Sequence, residues 1–243
     1  MPAVLIFTAS SLVACYFVPE RLLTFIIGIT IFYLMAAWRL NDGRTGWWNF
    51  VIMPLLLFLG TVGYGMMISE TILLIIVGLL GFVAQIFYWY YFMLYAVRPS
   101  SYPPFSLERL SLSLSVLALY FGSSALFGLS VFLNFSFLNL LALMALYSLL
   151  LLYQWSWVGK IPSAKAWRVG LVVWLTVLQI FIAALFLPLD FHAQGFLTAS
   201  VYYLFLFILS EKIAESLRPA KYRLALAVVA AGWLAVFITA RWF

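Results

Sequence analysis

Charge is the scarcest commodity in this 243-residue chain: Asp, Glu, Lys and Arg together make up 8% of it, against 67% hydrophobic residues. A soluble domain carries roughly a quarter charged residues, so water is not the main solvent of this polypeptide. Cysteine and histidine occur once each, as Cys15 and His192. A single cysteine excludes an internal disulfide. One of each also excludes a His/Cys zinc centre and a bis-histidine haem. No joint is long enough to hold an extramembrane domain, which removes an ATPase or kinase module from the expected functions. No cofactor is implied. The net charge of +6 does not point to nucleic acid, because the basic residues fall in short connections between apolar runs.

What fills the chain is a series of apolar runs, most of them near twenty residues long. Runs of that length are read as membrane-spanning helices. The alternating ten-residue pattern of a barrel is missing. The expected fold is all-α: one polytopic transmembrane bundle over 1–243 with about nine helices. Their predicted spans are 3–18, 21–38, 48–68, 71–97, 109–132, 136–158, 167–188, 195–215 and 222–242. The joints carry turn and breaker signals: PER at 19–21, NDGRTG at 41–46, RPSSYPPF at 98–105, GKIPSAK at 159–165 and RPAKYR at 218–223.

The distribution of cations orients the bundle. Even-numbered joints and their flanks hold Arg39, Arg44, Arg98, Arg109, Lys160, Lys165, Arg168, Lys212, Arg218, Lys221 and Arg223, while Arg21 and Arg241 are the two left for the other side. The positive-inside rule then makes the even joints cytoplasmic. The N-terminus is expected inside and the C-terminus outside, most naturally in a prokaryotic cytoplasmic membrane. The elbow SEKIAESLRPAKYR at 210–223 is the most charged of these joints, suited to anionic headgroups or a docking protein.

Within the spans almost nothing is ionisable, which argues against a proton pump, a voltage sensor or a cation-coupled antiporter. Gln85 and Gln179 are the strongest interior polar groups and are expected at comparable depth. They would form either an interhelical amide bond or a contact to a neutral substrate. The run QIFYWYYFMLY at 85–95 reads mainly as an interfacial aromatic belt on the fourth span, with Trp47, Trp48, Trp155, Trp157 and Trp167 at similar depth. The alternative is a stacking groove in which Trp89 joins Gln85 and Gln179 as substrate-binding residues. Pro54 interrupts the third span, as a bend or a gate.

Lipid gives little hydrophobic drive for helix association, so small residues must let helices approach. Ser111, Ser115, Ala118, Gly122 and Ala125 form such a seam; Ala227, Ala231, Ala235 and Thr239 form a ladder on the last span; Gly60, Gly63, Gly78 and Gly81 permit further contacts. These are expected to be bundle contacts, with a homo-oligomer or protein partner as the other use. AKAWRVGLVVW at 164–174 and AKYRLALAVV at 220–229 are alike, yet both are cytoplasmic helix starts with the usual anchors, so no repeat is inferred.

At the outer face Glu20, Glu70, Asp190 and His192 come from three joints and could converge as an acid–base or cation site. FGSS at 121–124 invites comparison with intramembrane serine proteases of the rhomboid class. Their GxSG and histidine-helix glycine pattern are not matched, and no residues carry over. LVAC at 12–15 resembles a bacterial lipobox and would make Cys15 a lipidation site, although the basic n-region of an export signal is missing before it. The functional expectation is a non-catalytic membrane subunit or scaffold of an envelope assembly. The alternatives are a carrier or flippase for a lipid or weakly polar molecule and, third, a membrane enzyme using the outer acidic groups. Membrane lipids are the expected surroundings in every case.

Overall fold

The computed structural model describes residues 22–40, 49–97, 102–103, 106–158, 163–213 and 219–239. The first expected span (3–18), Cys15, Glu20, Trp47, Trp48 and residues 214–218 of the 210–223 elbow lie outside them. Eight helices are described, with no strand among the described residues: α1 (Leu22–Leu40), α2 (Asn49–Met67), α3 (Thr71–Val97), α4 (Ser106–Leu133), α5 (Phe137–Val158), α6 (Ser163–Leu185), α7 (Phe191–Ile213) and α8 (Pro219–Thr239). Six of them, α2 to α7, are long and apolar enough to cross a membrane.

α4 lies at the centre, packed against α2, α3, α5 and α7, while α8 rests on α7 at the periphery. The expected seam explains why. Ser111, Ser115, Ala118 and Ala125 are all buried, and Gly122 lies among them. A Cβ on Gly60 would stand 3.1 Å from the Gly122 nitrogen and 3.2 Å from the Ala118 carbonyl, so α2 and α4 meet backbone to backbone. Tyr147 of α5 closes the same contact. Its hydroxyl is 2.9 Å from the carbonyls of both Leu56 and Ala118, and its one proton serves one of them at a time.

Pro54 neither ends α2 nor leaves an orphan group. Proline has no N–H for the carbonyl four residues back, which is Phe50's. The Tyr88 hydroxyl of α3 donates to that carbonyl at 3.0 Å, and Gln85 Nε2 donates to the carbonyl of Pro54 at 2.6 Å. Through Tyr88, α3 thus supplies the hydrogen bond that the proline forfeits, as membrane bundles require, and Gln85 adds a second tie between the two helices.

The aromatic run splits by face, which corrects the belt expectation. Tyr88, Trp89 and Phe92 are core residues, with Trp89 against Tyr33 of α1 (ring centroids 5.4 Å) and Phe92 stacked on Phe50 (4.5 Å). Phe87, Tyr90 and Tyr95 point outward and can serve as a belt, with Tyr91 half-buried beside them. The ladder on the last span needs a second correction. Ala227, Ala231 and Ala235 are exposed, and α8 instead packs through Ala225, Val229, Gly232 and Trp233. The Trp233 indole donates to Ser200 of α7 at 2.6 Å.

Tight turns set the ends. Asn134 takes a left-handed conformation (φ 47°) after α4, and the Phe135 N–H reaches back to Leu129. Ser136 then caps α5 through the Asn139 N–H. The α6–α7 turn is held by Gln194, whose amide donates to the carbonyls of Ala184 (2.8 Å) and Leu187 (3.1 Å).

Candidate functional site

α7 begins four residues earlier than the apolar pattern suggests, and this changes the status of its neighbours. Asp190 is the cap: its Oδ1 accepts from the Ala193 N–H at 2.7 Å, satisfying one of the free donors of a helix start and placing a carboxylate against the positive end of the helix. His192, expected in a loop, therefore sits on the first turn of a helix. There its Nδ1 meets the Tyr64 hydroxyl of α2 at 2.6 Å, and that hydroxyl is 3.0 Å from the hydroxyl of Tyr120 on α4.

Two proton arrangements satisfy this chain. Either Tyr120 donates to Tyr64 and Tyr64 to an unprotonated Nδ1, or an Nδ1–H donates to Tyr64 and Tyr64 to Tyr120. In both, the bonds run in one direction and couple α2, α4 and α7. Aromatic faces enclose them: Phe121 stacks on Tyr64 at 5.5 Å, and Phe191 lies 3.9 Å from His192, ring centre to ring centre. Glu70 and Asp190, both exposed, lie within electrostatic reach of His192. Of the four expected outer groups, three therefore gather around one end of the bundle, and Glu20 is outside the described residues. Tyr64 and Tyr120, which organise the cluster, were not expected from sequence. They are separated from each other by 56 positions and Tyr64 from His192 by 128, and no local pattern marks them.

Among the described residues no three His, Cys, Asp or Glu side chains gather to hold a metal ion. Nor does a serine–histidine dyad form there. Ser123 donates to the Leu119 carbonyl at 2.6 Å, and the His192 Nδ1 is taken by Tyr64. Ser124 is fully buried, with the Tyr120 hydroxyl as its polar neighbour. It faces Gly195, where any side chain would strike the serine and a Cβ would lie 3.0 Å from its backbone nitrogen. Glycine at 195 is what lets α7 approach α4 this closely.

The second expected constellation is divided. Gln85 and Trp89 are buried on α3 at 2% and 1% exposure, but Gln179 is exposed on α6, opposite the buried face made by Val173, Val177, Phe181 and Ala184. Gln85 and Gln179 do not face each other across the bundle. Other interior amides are Gln194, which holds the α6–α7 turn, and Gln154, fully buried with neither its oxygen nor its nitrogen bonded. On α3, Gln85 Oε1 and Trp89 Nε1 are likewise buried without partners. Such groups cost about 1–3 kcal/mol each when left unmade. Neither a family model, nor a curated protein, nor a solved structure matches this chain.

Proposed function

We propose that this chain is a multi-pass subunit or scaffold that docks a membrane partner, or a second copy of itself, along α8. The observation that carries this reading is the outward direction of Ala227 and Ala231, one turn apart on a helix that touches its own bundle on one side. Small residues at that spacing allow a foreign helix to approach the backbone, the main source of helix affinity in lipid. The outer polar cluster suits such a part. Asp190 is used as a cap, Ser123 is used on a carbonyl, and His192 with the two tyrosines ties three helices together. These bonds stiffen a platform. The cation distribution supports a cytoplasmic position for the 41–46, 98–105, 159–165 and 218–223 joints, with nine spans and the C-terminus outside, in a prokaryotic cytoplasmic membrane.

The test is co-purification from native membranes into nanodiscs. The wild type is expected to bring down a stoichiometric membrane protein or a second copy, and A227L/A231L to lose it while remaining folded. A wild type that emerges as a single chain without protein companions would end the scaffold reading. The carrier alternative draws on the unpartnered Gln85 and Trp89 groups. Lipid scrambling by reconstituted vesicles above the protein-free rate would favour it.

A further inference from the structure

Gln85 and Trp89 stand four residues apart on α3 and are buried where α1 and α2 meet that helix. The Gln85 amide cannot be turned round, because its Nε2 lies 2.6 Å from the Pro54 carbonyl and an oxygen there would face another acceptor. Oε1 is consequently left over as a buried acceptor. Trp89 Nε1 is left over as a buried donor. Side chains four apart on a helix are roughly 5–6 Å from each other at Cβ. That spacing puts both groups on one face of α3, where a single hydroxyl oxygen can accept from the indole and donate to the amide.

The surroundings narrow the chemistry. Trp89 is enclosed by Tyr33, Phe92 and Tyr88, at ring separations of 5.4, 5.6 and 6.3 Å, and the Tyr88 hydroxyl is already committed to Phe50. A charged ligand would find no counter-ion, because none of the charged residues of α3 and its neighbours lies at this depth of the sequence. An ether or ester would accept from the indole but give nothing to the amide oxygen. A hydroxyl does both through one atom.

We propose that the α1–α2–α3 junction binds a neutral hydroxyl group, which donates to Gln85 Oε1 and accepts from Trp89 Nε1. Its source is either the hydroxyl of an apolar alcohol or lipid, or a single water. The site is separate from the α8 face and stands whether or not the docking proposal holds.

The full-length protein in nanodiscs is tested with 1-decanol, decane and decyl methyl ether while thermal unfolding is followed. In parallel, ultraviolet resonance Raman difference spectra between wild type and W89F report whether the Trp89 N–H is hydrogen-bonded. For a lipid-type hydroxyl, decanol raises the melting temperature of the wild type beyond decane and the ether. W89F and Q85M each then weaken its apparent affinity roughly two- to tenfold, and exposed-site Q179M does not. For water, the indole marker reads bonded and decanol adds nothing beyond decane. Both results support the site. A free indole N–H with no specific decanol effect overturns it, as does a decanol shift of equal size in wild type, W89F and Q85M. Should Q85M fail to fold, W89F, which leaves the Gln85–Pro54 bond in place, decides between these outcomes.

Discussion

α2 and α3 are sequential neighbours in the same bundle, and they use their residues in opposite ways. α3 is the most apolar of the six candidate spans, yet 28% of its span is buried; α2 is less apolar and 67% of it is buried. In water that order would be reversed. In lipid an isoleucine gains nothing by leaving hydrocarbon for protein, so the interior goes to helices that offer close approach and hydrogen bonds. α2 offers Gly60, Thr61, Gly63, Tyr64, the Phe50 carbonyl freed by Pro54 and the carbonyl of Pro54 itself. α3 presents Ile72, Ile75, Leu79 and Val83 outward and turns in a narrow stripe, Gly81, Gln85, Tyr88 and Phe92, that serves α2, with Trp89 beside it on Tyr33 of α1. Gly81 is there because a Cβ would lie 2.6 Å from Thr61.

If this contrast is right, substitutions should hurt in proportion to lost approach and lost bonds, not to lost apolarity. The largest effect is expected at the α2–α4 contact. Gly122→Ala drives a methyl to 2.6 Å from the Tyr147 ring and should destabilise by about 1–3 kcal/mol, read by unfolding in mixed micelles; in a Tyr147→Ala background the same substitution should cost less. Next comes the proline repair. Tyr88→Phe should cost about 1 kcal/mol by orphaning the Phe50 carbonyl, but close to nothing in a Pro54→Ala background, where residue 54 regains the N–H that this carbonyl needs. Equal costs in the two backgrounds would remove the claim that α3 compensates the proline. Tyr64→Phe, which cuts the bonds to Tyr120 and His192, should cost about 0.6 kcal/mol and less than about 1.7, the range of membrane hydrogen bonds. It should also speed amide exchange at the start of α7. Smallest of all, Leu79→Ala on the outward face of α3 should stay within about 0.5 kcal/mol. A loss there as large as at Gly122 would show that α3 is covered by protein, and the comparison with α2 would fall.

The spans themselves were largely legible. The predicted bounds of α3 agree with the helix to the residue, and those of α2 and α5 within one, since turn residues punctuate long apolar runs. The α4 seam was legible too, because serine, alanine and glycine at alternating spacings of four and three have little reason to recur by chance on a lipid-facing surface. Facing was harder. Gln179 reads as interior by polarity, although the buried face of α6 runs through Val173, Val177 and Phe181. In lipid both faces of a helix are apolar, so the periodicity that betrays a core in water is weak. The ladder on α8 was misassigned for the same reason. His192 was lost to a boundary: the Pro188 and Asp190 pair is a recognisable helix start, but the polar stretch after it read as a longer joint. Tyr64 and Tyr120 had no local signature at all.

Composition was enough to read this chain as an all-helical bundle with helices apolar enough to cross a membrane, because hydrocarbon demands about twenty apolar residues with internally bonded backbone, and that demand is written locally. Which tyrosine reaches His192, which carbonyl Gln85 and Tyr88 rescue, and which side of α3, α6 or α8 faces a neighbour were settled by three-dimensional packing. Those choices rest on glycine clearances of a few tenths of an ångström and on hydrogen bonds between residues up to 128 positions apart, and neither leaves a mark in the periodicity of a helix already apolar on every side.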